Sequence, residues 1–143
     1  EALGAKRGPV LFHLPPFLKK DVPRLVDFLQ VLPVGHRAAF EFRNDSWFDD
    51  AVYDALNDAG AALCLSERDD DAPPSLVETA TWGYVRLRLE NYSEGDLAHW
   101  AQRLLDTAWQ DIHVYFMHEP TAPGYALSLM HLGSQQRRAH DDA

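Results

Sequence analysis

A single cysteine, Cys64, stands in the 143 residues. It cannot form an internal disulfide, and its setting in the apolar run 61–65 marks it as a small core residue. Apolar stretches are short: none approaches the roughly 18 residues that suggest a membrane span. The opening Glu1-Ala2-Leu3-Gly4-Ala5-Lys6-Arg7 has no apolar signal core, which points to a cytoplasmic protein. Positive charge is scarce too, with 13 Lys and Arg against 22 Asp and Glu and a formal net charge of −9. That balance argues against a general nucleic-acid binder, which would carry a basic face, while leaving room for a local basic pocket. There is no phosphate-binding P-loop, no GxGxxG, no GxSxG, no HExxH and no cysteine cluster. A covalent serine or cysteine mechanism therefore has no support, no metal motif is present, and no cofactor is indicated. The chain does not begin with Met, so it is expected to be processed or to be a piece of a longer protein.

Hydrophobic residues make up 46% and charged residues 24%, the balance of a globular domain with a real core. Apolar strand-like runs fall at 10–14, 37–42, 61–65, 84–89 and 112–117, starting 23 to 28 residues apart, a spacing that suits repeated βα units. Between them lie helical patterns. Leu25, Phe28, Leu29 and Leu32 follow Pro23 and precede Gly35. Ser46 with Asp49, and Ser93 with Asp96, read as capping boxes ahead of the next two helices. A shorter helix is expected over 125–132. The segment Asp69-Asp70-Asp71-Ala72-Pro73-Pro74 reads as a loop, and the polar residues 133–143 as a fraying tail after a domain spanning 1–132. The order β-α-β-α-β-loop-β-α-β-α implies parallel strands. A doubly wound sheet and part of a (β/α)8 barrel both fit this order. Polar residues on one face of the strands near their ends favour the barrel, whose full form needs eight strands where this chain supplies five.

Gly8-Pro9-Val10-Leu11-Phe12-His13-Leu14-Pro15-Pro16 resembles a family signature written GPVLFQLPP, and Phe40-Glu41-Phe42-Arg43 with Ser46-Trp47-Phe48 resembles that family's EFR…SWF segment. Tyr84-Val85-Arg86-Leu87-Arg88, Val114-Tyr115-Phe116, and Tyr92-Ser93 with Leu97 and Trp100 resemble later segments in the same order. On these residues the chain resembles the C-terminal part of the DUF72, or YecE-like, family. The resemblance implies an α/β fold, strands four to eight of a TIM-type (β/α)8 barrel, with an upstream half required to complete it. It implies no established activity. The family often has Gln where this chain has His13, and Asn or Lys near Met117.

Candidate site residues come from strand ends, where parallel α/β folds bind ligands. Glu41 and Arg43 share a strand face, as a base or ligand-orienting acid beside an anion-binding arginine, or as a structural ion pair. Arg86 and Arg88 share a face with Tyr84 and would create local positive potential in an acidic protein, or would neutralise Glu41 and Glu67. Glu67 is a candidate second carboxylate for acid/base work with Glu41, or an exposed loop residue. His13 suits proton transfer near neutral pH, or packs beside Pro15-Pro16. Tyr92 is a candidate for the mouth. His118 and Glu119 follow the last strand and are candidate ligand contacts; with His13, Glu41 and Glu67 they offer nitrogen and oxygen donors, although no tight metal motif is present. The reading that follows is an enzyme using carboxylate acid/base chemistry on a small anionic or polyol substrate. The alternatives are a nucleic-acid-binding or -processing barrel and a non-catalytic ligand-binding protein.

Overall fold

The computed structural model describes residues 7–67 and 76–141, with side chains to residue 136. Five strands, β1 (Val10–Leu14), β2 (Ala38–Phe42), β3 (Ala62–Ser66), β4 (Trp82–Leu87) and β5 (Asp111–Phe116), alternate with α1 (Val22–Val31), α2 (Asp50–Asp58), α3 (Glu94–Leu105) and α4 (Ala122–Asp141), with no helix described between β3 and β4. The acidic, proline-rich loop expected at Asp69 to Pro74 lies outside the described residues. All strand pairs are parallel, and the order in the open sheet is β1-β2-β3-β4-β5. Among the described residues no helix is long and apolar enough to cross a membrane.

Strand alternation decides where the core sits. Ala38, Phe40, Phe42 and Leu63 pack with Leu25 of α1 and with Val52 and Leu56 of α2. Leu65, Val85 and Leu87 pack with Leu97, Trp100, Ala101 and Leu104 of α3 and with Leu129 of α4. Every helix therefore covers the same face of the sheet. The other face carries Ala39, Ala62, Cys64, Trp82 and Tyr84, with Leu11 and Ala80 against them and no helix among them. Consecutive strand order with helices on one side is the winding of a (β/α)8 barrel; a doubly wound sheet reorders its strands and covers both faces. The fold is a partial TIM-type barrel.

Local chemistry explains the boundaries. Asp21 accepts from the Arg24 N–H and Pro23 occupies the first turn of α1. Ser93 and Asp96 form a reciprocal capping box on α3. Ser46 and Asp49 do not form one. The Ser46 hydroxyl donates to Asn44 Oδ1 at 2.7 Å and accepts the Lys20 N–H at 2.8 Å, so it is not available to cap a helix. Asn44 instead caps a single 3-10 turn, Asp45–Trp47, and Asp49 caps α2 by accepting from the Ala51 N–H. The indole of Trp47 then stacks on Phe42 with ring centroids 4.6 Å apart and donates to the Leu18 carbonyl. Phe48, the next residue, is 45% exposed.

The last helix is longer than the apolar pattern over 125–132 indicates, and its backbone runs through residues expected to form a tail. Polar contacts carry it on. Ser134 donates back to the Met130 carbonyl, Gln135 bonds His131 one turn away, and Gln136 reaches the Ala98 carbonyl of α3. The polar composition there belongs to a helix with a solvated face.

Candidate functional site

The inward face gathers Leu11 and His13 from β1, Ala39 and Glu41 from β2, Ala62, Cys64 and Ser66 from β3, Trp82, Tyr84 and Arg86 from β4, and His113 and Tyr115 from β5, with Arg43, Arg88 and Met117 just past their strands. Parallel register aligns His13 with Glu41, Ser66 with Arg86, and Arg86 with Tyr115. These pairs sit at the C-terminal strand ends, the catalytic end of a TIM-type barrel.

Glu41 is the hub. It is 2% exposed, a position that costs free energy for a carboxylate unless its oxygens are paired. Arg43 Nε donates to its Oε1 at 3.1 Å, Arg88 Nη2 to the same oxygen at 3.0 Å, and Arg86 Nη1 to Oε2. Ser66 Oγ adds a longer contact at 3.4 Å and accepts from Arg88 Nε at 2.9 Å. His13 Nε2 lies 3.8 Å from Glu41 Oε1. Burial pushes the Glu41 carboxyl up, but the Arg86 hydrogen bond and the charges of Arg86, Arg88 and His13 outweigh it and hold the carboxyl below its ordinary value. An ionised carboxylate whose oxygens already accept several donors is a poor general base. It is well suited to fixing guanidinium groups in place.

The three arginines are the accessible part of the cluster, with side chains 36%, 14% and 23% exposed for Arg43, Arg86 and Arg88. Among the described residues three guanidinium charges meet one carboxylate, leaving two positive charges without a partner there. Each arginine has five N–H donors. Arg43 spends only Nε on Glu41, and Arg86 Nη2 meets nothing better than Met117 Sδ at 3.4 Å, a weak acceptor. The unspent donors are what an anion would use.

Glu67 does not join Glu41. It shares parity with Leu63 and Leu65, so strand alternation turns it to the helix-covered face. There it is 8% exposed, accepts from the Tyr92 hydroxyl, from Trp100 Nε1 at 3.1 Å and from the Arg88 N–H at 2.9 Å. Tyr92 lies on that same outer side, its hydroxyl pushed up by burial and by Glu67 while it accepts the Leu89 N–H. Both residues fix the chain after β4 to α3, and so position Arg88 from behind. Trp100 is likewise core.

His118 and Glu119 are exposed beyond β5, and neither side chain bonds the arginine cluster. The His118 carbonyl accepts from Ala122 N–H and Thr121 Oγ1 at the start of α4. Among the described residues no group of three or more His, Cys, Asp or Glu side chains is placed to hold a metal ion. The Cys64 thiol is pushed up by burial and by Glu41, so it stays protonated in the core.

Ser66 and Tyr115 belong to the mouth although neither stood out among the candidate side chains. Parity with Ala62 and Cys64 was the signal for Ser66, and parity with His113 and Met117 the signal for Tyr115. A second inward cluster lies at the opposite strand ends, where Arg37 bonds Asp111 at 2.6 Å and His113 at 3.3 Å and sits over the Trp82 ring. Burial and Arg37 together lower the His113 imidazole below its ordinary value. Polar contacts at that end of a TIM-type barrel serve stability.

Over residues 1–143 the chain matches the family model described as "Protein of unknown function DUF72". The crystal structure of a DUF72 family protein from Enterococcus faecalis V583 is similar with a TM-score of 0.72 and 14% identity, over 87% of this chain and 60% of that one. A second, from Thermotoga maritima MSB8, gives a TM-score of 0.67 and 19% identity, over 89% of this chain and 56% of that one. At these identities the likeness shows the fold. The chain spans less than two thirds of either solved structure. No curated protein matches it.

Proposed function

We propose an anion-binding mouth for this chain, which belongs to the DUF72 family. In this reading the remaining strands of a TIM-type barrel come from further sequence of the same protein, and the C-terminal strand ends bind a small molecule bearing a phosphate or carboxylate group. The observation that carries it is the convergence of Arg43, Arg86 and Arg88 on one buried carboxylate, Glu41. Glu41 orders the guanidinium groups before the ligand arrives, which lowers the entropic cost of binding. The two positive charges unmatched among the described residues, and the spare N–H donors, face the ligand. Proton transfer in any turnover falls to His13, whose ring is about half exposed beside the cluster, and not to Glu41, whose oxygens are occupied.

The test is a thermal-shift titration of the full-length protein with inorganic phosphate, sugar phosphates and dicarboxylates, beside the Arg86→Ala variant. Stabilisation of wild type that rises with ligand concentration and is lost in the variant is the expected result. Equal shifts in both proteins, or none in wild type, would remove the reading.

A further inference from the structure

The mouth has a second wall. Tyr84 and Tyr115 stack on the inward face with centroids 4.8 Å apart and planes at 26°. Tyr84 is buried and forms part of the floor, over the small side chains of Ala39, Ala62 and Cys64. Its hydroxyl is pushed up to about 12 by burial and by Tyr115, so the floor is uncharged near neutral pH. Tyr115 is 39% exposed. Register sets Tyr115 directly beside Arg86, and Met117, 41% exposed, touches that same guanidinium through its sulfur. A ring and a thioether therefore lie open to solvent on the flank of the charge cluster. An anion as small as phosphate would use the arginines and leave this wall bare.

Resting on the anion-binding reading above, we infer that the ligand is an aromatic anion: a planar ring laid against Tyr115 and Met117, with its phosphate or carboxylate held by Arg86 and its neighbours. Offset stacking extends the Tyr84–Tyr115 pair by one ring, and sulfur at a ring edge adds a favourable contact. Cost also favours it, because Tyr115 is braced by Tyr84 and loses little rotamer freedom on contact.

The experiment is calorimetric titration of the full-length protein with inorganic phosphate, phenyl phosphate and cyclohexyl phosphate, in wild type, Tyr115→Leu and Tyr115→Phe. Phenyl phosphate is expected to bind wild type about fivefold more tightly than either of the other two, from one added stacking contact. Tyr115→Leu is expected to erase that preference while keeping phosphate affinity, and Tyr115→Phe to keep both. Phosphate binding without a preference for the planar ring would overturn the aromatic assignment and leave the anion site standing. Cyclohexyl phosphate binding as tightly as phenyl phosphate would overturn stacking in the same way. Absence of binding by all three, or binding unchanged in Arg86→Ala, would overturn the anion site and this inference with it.

Discussion

Glu41 sets the residue scale. Replacing it with Gln leaves three guanidinium groups converging on a neutral amide, and removing one partner of a buried ion cluster costs far more than the intact cluster contributes. Glu41→Gln is expected to lower stability by about 3 kcal/mol at pH 7, read from denaturant melts. The loss depends on pH. Because the folded carboxyl is held below its ordinary value of 4.5, its contribution is complete above that pH and disappears as pH falls through the folded value. Wild type and variant should therefore converge in stability between pH 4 and acid; a constant gap would mean that the carboxylate charge is not what holds the cluster. Alternation along 38–43 made Glu41 and Arg43 legible as a facing pair, and Arg86 with Arg88 likewise. How they combine was not legible, because the meeting of residues 41, 43, 86 and 88 depends on register across three strands. Glu67 shows the limit of composition: its parity with Leu63 and Leu65 outranked its resemblance to a second acid. Its bonds to Tyr92 and Trp100 follow from α3 lying over β3 and β4.

Two local contacts set elements in place: the cap of α3, and the close approach of Gly83 to Trp109. Ser93 donates, accepts and closes a box with Asp96 at the start of a helix whose Leu97, Trp100, Ala101 and Leu104 are buried. Ser93→Ala is expected to cost about 1 kcal/mol in a denaturant melt, and an unchanged midpoint would show that the box is not limiting. Gly83 interrupts β4 for a different reason. A Cβ there would lie 2.3 Å from Cε3 of Trp109, whose indole lies over the strand. Gly83→Ala is expected to destabilise by about 1–3 kcal/mol and to alter Trp109 fluorescence; native emission with native stability would mean that the indole moves freely aside. The repeat of strands and helices was open to sequence reading because period-2 and period-3.6 patterns are local. The 3-10 turn after β2 was not, since it arises when Lys20 and Asn44 claim the Ser46 hydroxyl from different directions.

For the whole molecule the question is closure. Among the described residues β1 and β5 each pair on one side only, and unpaired parallel edges invite further strands. Val10 lies exposed on β1. On the outer side, an apolar cleft of about 600 Å³ opens between α3, β5 and α4, lined by Leu104, Ile112, Val114, Phe116, Leu129 and Met130 among others. In a closed barrel the element beyond β5 would cover that region and pair its edge. The two solved DUF72 structures extend well beyond the span this chain matches, which is where the proposed closing strands would lie. The isolated 143-residue chain should therefore associate with itself as concentration rises, burying the edges and the cleft against a second copy. Sedimentation velocity over a hundredfold concentration range reads this directly, with the full-length protein run beside it and expected to show no edge-driven association. A chain of 143 residues that stays monomeric throughout that range and unfolds in one cooperative step would show that five strands suffice, and the proposed closure into an eight-stranded barrel would have to be abandoned.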